Sequence, residues 1–347
     1  MTGWSRPAAC LVLAGMLAGC GPSLPGPAQL RLTSCEVVAA APAERIYQLR
    51  FTSARRDTVV AFLREPRTPG PHTAVVLVSG RETGRQAAAV IPGPLEEAVL
   101  ALEYPATIPQ TMDASAWARQ LPALRRTALH MPGTMRGAAR WLAAQPGIDS
   151  TRIALVGVSF GVPFAAAAGH DRIFRGVALH HGGADLALLL RTNLPIENRV
   201  LRSGISGFGA WWLRRLEPAR HVGRISPTPL LLINGEHDDL IPRRSAERLR
   251  LAAREPVRQL WLPHGHLMPD DTAAMRELAD STLSHFGFLR RERPAGGSVM
   301  VPDRCQVALP AGAPHGTLAL LVHLGYKPGE PFKRYTSDEH NDARIRA

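Results

Sequence analysis

The sequence predicts an α/β fold: a mostly parallel sheet with helices on both faces. Three observations carry this. Short, continuous apolar runs at 73–78, 152–156, 176–180 and 230–234 have the length and branching of strands buried on both faces. Segments with helical apolar spacing lie at 131–144, 162–169, 243–253 and 272–286. Strands that alternate with helices build parallel sheets, because a parallel neighbour requires a long crossover.

The other elements follow in chain order. Residues 47–53 and 58–64 read as an antiparallel hairpin around a basic turn. Residues 98–103 form a weaker strand, and 258–262 a late one. Residues 186–225 are longer than a crossover helix needs and carry Trp211-Trp212 among arginines, so a small helical insertion is expected there. The tail at 291–347 is rich in Pro, Gly and charge, with one apolar run at 317–324; it reads as an extension of unplaced structure. The expected division is thus 1–19, 20–35, a main domain over 36–290, and 291–347.

Composition narrows the function classes. Of 347 residues, 45% are apolar and 20% charged, which suits a large core and excludes a disordered chain. The net charge of +12 comes almost wholly from arginine, since Lys327 and Lys333 are the only lysines. The arginines are scattered and no stretch interleaves basic and aromatic residues, so no nucleic-acid partner is expected.

The amino-terminal stretch reads as a targeting segment. Arg6 precedes an uncharged, apolar run at 8–19, too short to span a bilayer but suited to a signal peptide. It ends in Leu17-Ala18-Gly19-Cys20, which resembles the bacterial lipoprotein signal. That resemblance implies a signal peptide over 1–19 and lipid on Cys20, whose thiol forms the thioether; an ordinary secretory signal is the alternative. The Pro-, Gly- and Ser-rich residues 21–29 read as part of a flexible tether spanning 20–35. Gly21 in place of Asp implies, by the same resemblance, the outer membrane facing the periplasm. Cys10 leaves with the signal, so Cys35 and Cys305 remain, either bonded to each other or as two free thiols.

The chemistry centres on Gly157-Val158-Ser159-Phe160-Gly161. A strand precedes it and a small-residue helix follows, the context that a strained nucleophile turn requires. Glycines two positions either side leave room for the neighbouring strand and helix, and the helix amino terminus favours developing negative charge. A serine hydroxyl needs a base. His266 in Pro263-His264-Gly265-His266 is the candidate, with His264 as rival. The base needs a carboxylate to fix its tautomer.

Here the chain resembles the α/β-hydrolase superfamily, notably its dienelactone-hydrolase-like and prolyl-oligopeptidase-like branches. The residues are the serine pentapeptide, the Gly-His pair at 265–266, and Gly235-Glu236-His237-Asp238-Asp239-Leu240-Ile241-Pro242 after a buried strand. The resemblance implies Asp238 as the acid, with Asp239 the alternative, and the chain order Ser159, Asp238, His266. It also implies oxyanion donors on the backbone of Phe160 and, after the strand ending at Val78, of Arg81 or Glu82. Ser79-Gly80-Arg81 stands where the family often has His-Gly-x. His180-His181-Gly182-Gly183 looks like an oxyanion loop or metal pair, but it follows the nucleophile and adjacent strand histidines point apart. A substrate-contacting role remains open for it.

No metal site, phosphate-cradling loop or cofactor is expected. The implied function is an exported, lipid-anchored serine hydrolase acting on a small molecule with a carbonyl ester or related bond. A peptidase, an acyltransferase, or a non-catalytic ligand-binding lipoprotein are the alternatives.

Overall fold

The computed structural model describes residues 24–80, 83–104, 114–268 and 270–289, with backbone only for 114–119 and 288–289. The expected signal peptide, Cys20, Arg81, Glu82, Cys305 and the carboxy-terminal extension lie outside the described residues.

Nine strands form one sheet among the described residues, ordered β1-β2-β3-β5-β4-β6-β7-β8-β9. They are β1 (Leu30–Ala40), β2 (Glu44–Ser53), β3 (Thr58–Pro66), β4 (His72–Val78), β5 (Ala98–Leu102), β6 (Ile148–Val158), β7 (Phe174–His180), β8 (Leu230–Gly235) and β9 (Val257–Leu262). The expected hairpin is β2–β3, closed by a turn in which Arg56 has φ 64°. Pairing is antiparallel from β1 to β3 and between β3 and β5, and parallel from β5 through β9.

The helices are α1 (Ala87–Val90), α2 (Ala114–Ala143), α3 (Val162–Ala168), α4 (Leu186–Asn193), α5 (Arg199–Trp212), α6 (Arg243–Ala252) and α7 (Thr272–His285). Alternate strand residues point to opposite faces, so each central strand feeds two cores. Val76, Leu100, Leu155, Val177 and Leu232 share a core with Met135 and Leu142 of α2 and Phe164 of α3. Val75, Leu77, Val99, Val156 and Ile233 share the other with Ala87–Ala89 of α1 and Leu278 of α7. That double burial is why these strands read as unbroken apolar runs.

Two expectations change. The tether was expected to reach residue 35, but Leu30–Ala40 is an edge strand paired with β2, with Cys35, Val37 and Ala39 buried at alternate positions. The preceding residues are packed too: the Ala28 N–H donates to the Gly133 carbonyl at 2.8 Å, and Arg136 donates to the Pro25 carbonyl. A Cβ on Gly133 or Gly137 would overlap this segment, so the two glycines let it cross α2 closely. Secondly, α2 begins well before residue 131 and runs through Pro122 and Pro132. Proline removes a backbone donor; burial of Met131, Met135, Ala138 and Leu142 against the sheet offsets that loss.

The expected insertion is α4 and α5, followed by short 3-10 turns at Arg214–Leu216, Pro218–Arg220 and Val222–Arg224. Glu217 ties it down, accepting from the N–H groups of Asp185 and Leu186 at 2.8 and 2.9 Å.

Candidate active site

Ser159 stands on the turn between β6 and α3, with φ 52°. A non-glycine residue there is strained. Close packing maintains the turn. A Cβ on Gly157 would overlap the Ala165 side chain, and one on Gly161 would overlap the Val78 carbonyl. The two glycines therefore bring β6, α3 and the end of β4 together beneath the serine.

The serine hydroxyl meets His266, with Oγ 2.9 Å from Nε2. His266 lies on the loop after β9, and its Nδ1 is 3.0 and 2.9 Å from the two oxygens of Asp238. Asp238 lies on the loop after β8. Its Oδ1 also accepts from the backbone N–H groups of Leu240 and Ile241 at 3.0 and 2.9 Å. The same carboxylate thus shapes its own turn and faces the histidine. Its side chain is 1% exposed.

The rivals fall elsewhere. Asp239 is exposed. His264 Nε2 pairs with Glu277 Oε2 at 2.6 Å, away from the serine. The structure therefore brings together Ser159, His266 and Asp238, three residues far apart in sequence.

Burial alone raises the carboxyl of Asp238. Hydrogen bonds from His181 and His266 and from the Ile241 backbone outweigh that and hold it well below the usual carboxylate range. It is thus an ionised acceptor, so both histidines must carry hydrogen on Nδ1. For His266 that leaves Nε2 free to accept from Ser159, the tautomer a general base needs.

His181 is the partner that sequence reasoning did not place. Its Nδ1 is 2.9 Å from Asp238 Oδ2, its side chain is 2% exposed, and its φ is 48°. The Gly-rich stretch that holds it reads in sequence as a lookalike for an oxyanion loop or metal pair, or as a substrate contact, and not as a partner of the acid. The two histidines do point apart, as their adjacency implies. His180 Nε2 turns to Thr282 Oγ1 at 3.1 Å, and burial lowers its pKa to about 3. Nitrogen and oxygen atoms of His181, Asp238 and His266 lie within 4.8 Å of one another. Their hydrogen bonds engage these donors with each other and with Ser159.

The oxyanion position is described in part. The Phe160 N–H follows the nucleophile in the 3-10 turn Ser159–Gly161 that leads into α3. Beside it, Tyr104 O–H donates to the Ser79 carbonyl at 2.5 Å, and its ring meets Phe160 edge-on with centroids 5.3 Å apart. The loop after β4 is thereby fixed against the nucleophile turn. Arg81, the expected second donor, lies outside the described residues.

Strand order and this serine-centred geometry decide the fold. The chain has the α/β-hydrolase fold. Residues 135–282, less than half of the chain, match the prolyl oligopeptidase family of S9 peptidases, a stretch that includes Ser159, Asp238 and His266. The chain is 27% identical over 119 residues to uncharacterized protein YfhR of Salmonella typhi, covering 34% of this chain and 41% of that protein. It is 34% identical over 140 residues to uncharacterized protein MT2364 of Mycobacterium tuberculosis, covering 39% and 45%. The chain thus spans less than half the length of these curated relatives. Acetyl xylan esterase 1 of Thermoanaerobacterium sp. JW/SL YS485 superposes with a TM-score of 0.54 at 15% identity, over 77% of this chain and 89% of that one, a likeness of fold.

Proposed function

We propose that this α/β-hydrolase cleaves an ester-type bond through an acyl-enzyme on Ser159. The observation that carries the reading is the continuous hydrogen-bonded line from Ser159 Oγ through His266 to Asp238.

In this reading Ser159 Oγ attacks the substrate carbonyl as its proton passes to His266 Nε2. Asp238, ionised and buried, stabilises the imidazolium without taking the proton. The carbonyl oxygen, now negative, accepts from the Phe160 N–H and, by expectation, from that of Arg81. Collapse breaks the bond to the leaving alcohol, which takes the proton from His266. Water then attacks the acyl-enzyme by the same steps, with His266 as base, and releases the acid and the serine.

An apolar cavity of about 110 Å³ lies between the sheet and helices α1 and α7. It is bordered by Val158 and Leu267, the sequence neighbours of Ser159 and His266, and by Leu77, Met275 and Leu278. The prolyl oligopeptidase match favours a second reading, a peptidase that uses the same steps with an amine leaving group.

The proposal includes export and attachment to the cell envelope, outer membrane facing the periplasm, through lipid on Cys20. Its support is the Leu17-Ala18-Gly19-Cys20 signal. Metabolic labelling with a fatty acid tests it: Cys20→Ala is expected to abolish incorporation, and unchanged incorporation overturns the lipid site.

A fluorophosphonate probe tests the chemistry. The wild-type protein is expected to label and Ser159→Ala to remain blank. No labelling of folded wild type overturns the enzyme reading, and labelling that survives Ser159→Ala overturns the site. Hydrolysis of matched ester and amide substrates distinguishes esterase from peptidase.

A further inference from the structure

Helix α5 is built inside out. Leu201, Ile205, Phe208 and Trp212 recur at the i, i+4, i+7, i+11 spacing of a single helical stripe. On a surface helix that stripe ordinarily faces the core. Here Val200 is 83% exposed and Phe208 53%, and Leu201 and Ile205 are exposed as well. The residue turned inward is Ser206, 1% exposed, whose hydroxyl donates to the Arg202 carbonyl. Five of the nine most exposed large apolar side chains among the described residues lie on this helix: Val200, Leu201, Ile205, Phe208 and Trp211.

Two further observations bear on what covers the stripe. Gly204 and Gly207 interrupt the helix, and a Cβ on either would meet nothing within 4 Å. Close packing within the protein therefore does not account for these glycines, and each weakens an isolated helix. The insertion is also basic. Residues 186–225 hold seven arginines, Arg191, Arg199 and Arg202 on or beside the helices among them, against two acids, Glu197 and Glu217. Arg191 and Arg199 are exposed, and Arg214 stacks over the Trp211 ring at 5.3 Å. An apolar stripe with aromatic residues and flanking arginines matches the chemistry of a bilayer interface, where apolar groups enter the acyl boundary and cations meet anionic headgroups.

We propose that α5 is a membrane-docking helix whose exposed Leu201–Ile205–Phe208 stripe inserts into the surface of an anionic bilayer. The contact is separate from the catalytic chemistry and from any lipid on Cys20.

The test is flotation of the full chain with vesicles of phosphatidylcholine, with and without phosphatidylglycerol. Every protein carries Cys20→Ser, so none is lipidated and all share the same amino-terminal segment. The parent is expected to float with the anionic vesicles, and less so at high salt. Leu201→Glu with Phe208→Glu is expected to lower partitioning at least about ten-fold. Arg191→Gln with Arg199→Gln is expected to reduce the preference for anionic over neutral vesicles. Thermal melting and turnover of a soluble ester serve as folding controls, since these side chains are exposed.

Equal flotation of parent and Leu201→Glu/Phe208→Glu overturns the proposal. So does equal binding of the parent to neutral and anionic vesicles. A parent that ignores vesicles but self-associates through a contact broken by Phe208→Glu overturns it in favour of a second copy. A parent that ignores vesicles and stays monomeric overturns it as well.

Discussion

His181 and Asp238 are joined by a hydrogen bond of 2.9 Å between two side chains that are both almost fully buried. His181 follows the strand β7 and makes no part of the serine–histidine line, yet it donates to the oxygen that also receives His266. The carboxylate is thus held from two sides. His181→Ala leaves Asp238 short of a donor on Oδ2, with the backbone N–H groups of Leu240 and Ile241 on Oδ1 as its remaining anchors beside His266. The expected result is a fall in kcat/KM of about 10- to 100-fold, the equivalent of a lost hydrogen bond to a buried charge. The loss should fall on kcat, and His181→Asn, which restores an N–H donor, should recover most of it. Unchanged kcat in His181→Ala would show that the turn at 238–241 holds the carboxylate unaided.

The nucleophile turn depends on the absence of a side chain at Gly157. A Cβ there would overlap Ala165, so Gly157→Ala is expected to destabilise the fold by about 1–3 kcal/mol. Ala165→Gly vacates that space but also weakens α3. In urea melts the double variant should be more stable than the sum of the single changes, with a coupling energy of about 1 kcal/mol. Additive effects would mean that strain at the 3.1 Å approach to the Gly161 carbonyl, not Ala165, sets the cost.

Acid should destabilise the protein through His180. Burial lowers its pKa from 6.5 to about 3, so between these values the unfolded chain binds a proton that the folded chain refuses. Stability from this group is intact above pH 6.5 and declines as pH falls toward 3, by up to about 1.4 kcal/mol per pH unit. His180→Gln removes the titrating group. Melting temperature plotted against pH should therefore fall less steeply in this variant than in wild type; parallel curves would exclude His180 as the source.

Cys35 is buried on β1 and disulfide-bonded. We propose Cys305 as its partner, since Cys10 falls in the expected signal segment and Cys20 is expected to carry lipid. Peptide mass mapping without reductant should find the Cys35 and Cys305 peptides as one species. Cys305→Ser should leave Cys35 open to alkylation. A Cys35 thiol that stays blocked in Cys305→Ser would point to another partner.

Much of this architecture could be read directly from the residues. The central strands were plain because burial on both faces demands unbroken apolar runs. Ser159 was plain because its turn needs glycine at 157 and 161. Strand β1 was not, since an edge strand buries one side only and its outward residues, Arg31, Thr33 and Glu36, look like tether. Pro122 and Pro132 masked the first half of α2, where packing overrides propensity. His181 was noticed but not placed. Its bond to Asp238 spans 57 residues, and nothing local in the sequence reports a contact between the ends of two strands. For α5, spacing gives the stripe but not the direction in which it faces.

The backbone at Ser159, with φ 52°, puts activity and durability in opposition at one position. The conformation that exposes the hydroxyl is one that glycine adopts at little cost and serine does not. Ser159→Gly would relieve that tension while abolishing the nucleophile, so the dead protein is expected to exceed the live one in stability by about 1 kcal/mol. A selection scheme that scores only heat tolerance or yield would therefore tend to discard the very residue that gives the scaffold its chemistry, and activity has to be selected alongside.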